Sequence, residues 1–86
     1  PVVSIDVLHF RPVYIIGEVN EPGEYGYASG MNVLNAVALG GGYTYRADQD
    51  DIIIMRGRDD NRVEIQANEQ SIVLPGDIIH ITERYF

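Results

Sequence analysis

The chain has 86 residues, room for one domain with a small core. It carries a net charge of −7, six arginines and no lysine. A backbone-tracking nucleic-acid binder needs a net basic face, and Schiff-base or P-loop chemistry needs a lysine, so both classes are excluded. It contains no cysteine, which removes disulfides and thiolate metal sites.

"VVSIDVLHF", residues 2–10, alternates with a period of two and predicts a strand. "VYIIGEV", Val13 to Val19, is dense in β-branched and aromatic residues and predicts a central strand. Pro22-Gly23 then predicts a type II turn, with "EYGYA" returning as the second arm of a hairpin. "MNVLNAVALGGG" is the one helix. Asn32 caps it, Val33, Leu34, Val37 and Ala38 form its apolar stripe, and Gly40 is expected as the left-handed residue at its end. At seven or eight residues it must pack on a sheet to persist.

"DIIIMR", Asp51 to Arg56, predicts a buried strand, and "RVEIQ" an alternating one with Val63 and Ile65 facing inward. Leu74-Pro75-Gly76-Asp77 is a second Pro-Gly turn, feeding a strand over Ile78 to Thr82. Five or six short strands and one helix after the first hairpin indicate an α+β fold. The expected form is a β-grasp-like mixed sheet with the helix on one face. The expected core is Val13, Ile15, Val19, Leu34, Val37, Ile53, Val63, Ile79 and Ile81.

No catalytic set stands out. His9 and His80 lie far apart, and a strand would put Asp77 on the opposite face from His80. Glu18, Glu21 and Glu24 form one acidic group and Asp48, Asp50 and Asp51 another. Neither has the spacing and closing glutamate of a calcium loop, so both read as a solvated rim, with no metal and no cofactor expected. "LGGGYTYRAD" places its glycines after a helix, at its negative end, whereas a phosphate cradle has them before one. Gly41 and Gly42 therefore indicate a close backbone approach or room for a partner. Tyr43, Tyr45 and Arg46 form a candidate ligand surface, with Tyr25 and Tyr27 as neighbours; the alternative is that one tyrosine plugs the open end of the core.

The order "VYIIGEVNEPGEY", "MNVLNAVALGGGYTYRAD", "IIIMR", "VLPGDIIHITERYF" resembles the soluble-ligand-binding β-grasp (SLBB) domain of outer-membrane polysaccharide export proteins, over residues 13–86. Asn32 stands where that family often has threonine, and either residue caps a helix. The resemblance implies a non-catalytic role in the periplasm, in a protein that forms rings at the outer membrane. Its implied partners are other copies of itself, an inner-membrane polysaccharide co-polymerase or tyrosine kinase, and the exported polysaccharide. The domain would pack subunits or recognise carbohydrate. Residues 1–12 would then be the last strand of a preceding export domain or a linking strand. The start at Pro1 is read as a cut from a longer protein.

Overall fold

The computed structural model describes residues 10–57 and 59–84. The strand expected over residues 2–10, His9 and the final Tyr85-Phe86 lie almost wholly outside them. The elements run β1 (Val13–Gly17), β2 (Gly23–Tyr25), α1 (Val33–Leu39), β3 (Ala47–Arg56), a 3₁₀ turn (Asp59–Asn61), β4 (Val63–Ala67) and β5 (Ile78–Glu83). They form one mixed sheet in the order β2-β1-β5-β3-β4, with β1 and β5 parallel and the other pairs antiparallel. This is the α+β, β-grasp-like arrangement expected from the order of elements. No helix of the described residues is long and apolar enough to cross a membrane.

A helix of seven residues leaves most of its backbone amides and carbonyls at its ends. Here the first turn is fully satisfied. Val33 N–H donates to Ser71 O and Leu34 N–H to Glu69 O, each at 3.0 Å. Asn35 N–H donates to Asn32 Oδ1 at 2.8 Å, and Asn32 N–H donates back to Asn35 Oδ1 at 3.1 Å, a reciprocal cap. The segment before β5 thus holds the helix start, and an isolated bridge between Asn32 and Ile72 continues that seam. Val33, Ala36 and Val37 are buried against Val13, Ile15, Ile52, Ile54, Val73, Ile79 and Ile81. Each fully buried side chain of this size contributes roughly 1.5–3 kcal/mol.

The expected core needs three corrections. Leu34 is exposed, as is Ala38 of the expected stripe, because Ala36 takes the buried position beside Val33 and Val37. Ile53 lies on the other face of β3, and Ile52 and Ile54 fill the core instead. Val63 pairs with Arg56 at the far end of β3, past the core, and is exposed, whereas Ile65 packs against the core. The first hairpin also differs in its corner. Gly23 is already the first residue of β2, paired with Ile15, and its φ of 158° is not that of a type II turn. The reversal is spread over residues 18–22 because that loop leans on the glycine loop after α1. The second Pro-Gly turn forms as expected: Asp77 N–H donates to Leu74 O at 3.1 Å, and Gly76 has φ 87°.

At the end of β1, Gly17 meets β5 so closely that an added Cβ would lie 2.1 Å from Ile81 O. Glu18 N–H donates to the same oxygen at 2.9 Å. This contact turns the chain out of the sheet and directs residues 18–21 toward the end of α1.

Candidate functional site

The end of α1 forms a Schellman motif. Gly41 N–H donates to Ala38 O at 3.1 Å and Gly42 N–H to Val37 O at 2.9 Å. The left-handed residue is Gly41, with φ 84°, and not Gly40, whose φ is −81°. The expectation for Gly40 missed by one position because the helix runs through Leu39 and Gly40 is its last half-helical residue. The 18–21 loop then zips onto this turn. Glu21 N–H donates to Gly40 O at 2.8 Å, Asn20 N–H to Gly42 O at 3.0 Å, and Asn20 Nδ2 to Gly41 O at 2.7 Å. Thr44 N–H donates to Glu18 O at 3.1 Å, and Thr44 Oγ1 donates to Glu18 Oε1 at 2.7 Å. A Cβ on Gly41 would lie 3.2 Å from Asn20 Cβ. The close backbone approach read from the sequence is therefore an approach of the chain to itself.

The five candidate residues separate into two groups. Gly41, Gly42 and Tyr43 lie on this seam. Tyr43 bridges to Val19, packs against the core, and donates its hydroxyl to Glu69 Oε2 at 2.8 Å. Burial pushes its pKa well above the ordinary tyrosine value; the hydrogen bond and charge of Glu69 and the charge of Asp50 add to the shift. Tyr43 is one of three tyrosines, with Tyr25 and Tyr27, that pack against the core, and it is the one tied to Glu69.

Tyr45 and Arg46 face solvent. Tyr45 is 81% exposed. The Arg46 guanidinium stands 5.6 Å from the Tyr45 ring centroid, and its Nε donates to Tyr45 Oη at 3.2 Å. Arg46 Nη1 donates to Glu83 Oε2 at 3.1 Å. From the other side, Arg84 Nη2 donates to Tyr45 O at 3.2 Å and Arg84 N–H to Arg46 O at 2.8 Å. The hydrogen bonds to Tyr45 and Glu83 hold Arg46 firmly protonated. Tyr45, Arg46, Glu83 and Arg84 line a cleft of about 280 Å³. It offers an aromatic face, guanidinium donors and a carboxylate acceptor, a set suited to a hydroxyl-rich ring. Neither Glu83 nor Arg84 reads as a ligand residue in the sequence, where they stand as a charge pair in "ERYF"; strand register brings them to Tyr45 and Arg46. Tyr25 and Tyr27 do not line this cleft. Tyr25 donates its hydroxyl to Glu21 O, and Tyr27 packs edge-on against Phe10 at 5.0 Å.

A slightly larger cleft, about 310 Å³, runs along α1 from the loop before it to its last turn, among Ala28, Met31, Ala38 and Leu39. Its polar members are Ser29 and Asn35, and Asn35 is engaged in the helix cap. With no charged side chain lining it, it offers less to a polar ligand than the smaller cleft.

The most buried charge is elsewhere. Asp77, 1% exposed, sits just before β5. Its Oδ2 accepts from Arg56 Nη2 at 2.9 Å and from Leu74 N–H at 2.8 Å, and its Oδ1 accepts from Arg56 Nε at 3.1 Å. Arg56 Nη2 also reaches Ile72 O at 3.1 Å. Asp77 is thus the anchor of the second turn, a role the sequence reading missed because Arg56 is 21 residues away. Among the described residues, no three histidines or carboxylates gather to hold a metal ion.

The mixed sheet clasping one short helix, with glycine-specified seams on both sides, defines a β-grasp module. The chain belongs to the SLBB domain family, whose model matches residues 12–73. It is also 54% identical over 48 residues to the exopolysaccharide production protein ExoF of Rhizobium meliloti (strain 1021). The aligned stretch is 56% of this chain and 11% of that protein, so the chain spans about a tenth of the length of the curated relative it matches.

Proposed function

We propose that this chain is a non-catalytic SLBB domain of an exopolysaccharide export protein, working in the periplasm as part of a ring of identical subunits at the outer membrane. The observation that carries the reading is the 54% identity to an exopolysaccharide production protein within a family-matched domain. The non-catalytic part is supported by where the polar groups are spent. The buried carboxylate is taken up by Arg56 and a turn amide, and Tyr43 by Glu69. The partners proposed are further copies of the same protein, an inner-membrane co-polymerase or tyrosine kinase, and the polysaccharide.

The test is a strain lacking the full-length protein, complemented with the intact gene or with Gly17→Trp, which breaks the β1–β5 contact. Polymer should reach the medium only with the intact gene; equal secretion from both refutes the reading. Sedimentation of the full-length protein should show a closed oligomer, and monomer alone at micromolar concentration refutes the ring.

The cleft at Tyr45 favours a second reading, in which the main role is carbohydrate or small-ligand recognition through Tyr45, Arg46 and Glu83. Titration of repeat-unit oligosaccharide should then move the resonances of residues 45, 46, 83 and 84. No movement at millimolar sugar removes this reading and leaves assembly as the role.

A further inference from the structure

Helix α1 covers one face of the sheet. Directly paired residues on neighbouring strands point to the same side, so the registers determine what the other face carries. Tyr14 pairs with Glu24 of β2 and with Ile78 of β5. Ile78 pairs with Met55 of β3, and Met55 with Glu64 of β4. One row therefore runs from edge to edge as Glu24, Tyr14, Ile78, Met55, Glu64. The row beside it runs Ile16, His80, Ile53, Gln66. Tyr14 and Ile16 are each 39% exposed, and Ile53, Met55, Ile78 and His80 are half-buried. A sheet with one wet face should alternate apolar with polar residues. Here the outer face of the three central strands carries Tyr14, Ile16, Ile53, Met55 and Ile78 around His80, and the one α-helix among the described residues lies on the other side.

An apolar surface rimmed by polar groups marks an interaction site. The rim carries an exposed glutamate on each edge strand, Glu24 on β2 and Glu64 on β4. The two edges are four strand spacings apart, about 19 Å. A helix with its side chains is about 10–12 Å across. Laid along the strands it would cover Tyr14, Ile16, Met55 and Ile78, with long basic side chains on its flanks reaching both glutamates. A second copy of this chain fits poorly, because it is itself at −7 and would bring carboxylates against carboxylates. We infer that the outer face of the sheet docks an amphipathic α-helix from another polypeptide segment, with an apolar stripe flanked on both sides by lysine or arginine.

The test uses two synthetic helices that share one Leu/Ile stripe, one flanked by Lys and Arg, the other by Glu. Each is titrated into the isotope-labelled 86-residue chain. The basic helix should shift the amides of residues 14–16, 53–55 and 78–80 saturably, and the acidic helix should not. Ile16→Asp should weaken binding at least about tenfold while the thermal melt stays in place. Glu24→Lys with Glu64→Lys should reverse the preference between the two helices. Four results overturn the proposal: no shift with millimolar basic helix, equal binding of both helices, concentration-dependent self-association lost in Ile16→Asp, or preferential binding to lipid vesicles.

Discussion

Replacing Asp77 by alanine removes the acceptor that joins β3, the Pro75-Gly76 turn and the start of β5. Three contacts go together: the two-pronged grip of Arg56 and the Leu74 amide. Loss of one partner from a buried pair costs about 3–5 kcal/mol, and an unsatisfied buried amide about 1–3 kcal/mol. These overlap and do not simply add. The Arg56 side chain is 33% exposed, so water rehydrates part of it and moves the total toward the lower end. The expected cost is about 3–4 kcal/mol. A domain of this size has about 4–13 kcal/mol in all, so Asp77→Ala should lose much of its stability. Asp77→Asn keeps an oxygen for the Leu74 amide but loses the charge, and should cost about 1.5–3 kcal/mol. Urea unfolding followed by circular dichroism gives both numbers, and the chain has no tryptophan to report otherwise. Arg56→Met completes a double-mutant cycle, with an expected coupling of at least about 1 kcal/mol. A cost below about 1 kcal/mol for Asp77→Ala, or no coupling to Arg56, would show that the pair does not hold the turn.

Gly17→Ala should destabilise by about 3 kcal/mol or more, since its Cβ would lie 2.1 Å from a backbone oxygen at a φ of 93°; urea midpoints measure it. Asn32→Ala removes the reciprocal cap and should cost about 1 kcal/mol, while Asn32→Thr should cost less. Tyr43 has a folded pKa raised above the usual value near 10, so its contribution is present below that value and lost as pH rises. Alkaline ultraviolet titration should find one tyrosine that ionises only with unfolding, and Tyr43→Phe should abolish that step.

The sequence made the order of elements legible because punctuation and patterning agree there. Asn32 opens the helix, the glycines close it, and Pro75-Gly76 sets up β5. It did not make the faces of β3 legible. "III" at 52–54 carries no alternation, and the period-two signal fails where both faces are apolar. Ile53 reads as inward on that account and pairs outward with His80 instead. Pro22-Gly23 looked like the equal of Pro75-Gly76, yet only the second has an aspartate next to the glycine to tie the turn to its neighbour. The candidate site was half legible. Tyr45 and Arg46 stood out beside the glycines, but Glu83 and Arg84 come to them only through strand register.

That register depends on a stretch the sequence presents merely as acidic. Ile52 pairs with Ile81, and continuing the antiparallel ladder regularly would set Asp50 opposite Glu83. Two carboxylates directly opposite each other repel. Instead the pairing shifts so that Ala47 stands opposite Glu83, with four residues of β3, 48–51, facing Thr82 alone. Thr82 Oγ1 donates to Asp51 O at 2.7 Å and fastens one end of the bulge; the Asp50 amide donates to Asp48 Oδ1 at 3.0 Å within it. The shift replaces a repulsion with an attraction, because the residue beside Ala47 is Arg46, which reaches Glu83 at 3.1 Å. Bulges re-aim side chains, and this one turns "YR" outward into the cleft while the core resumes at Ile52. The acidic run "DQDD" therefore does more than form a solvated rim: its repulsion from Glu83 disfavours the regular register and favours the one that brings Tyr45 and Arg46 to Glu83 and Arg84.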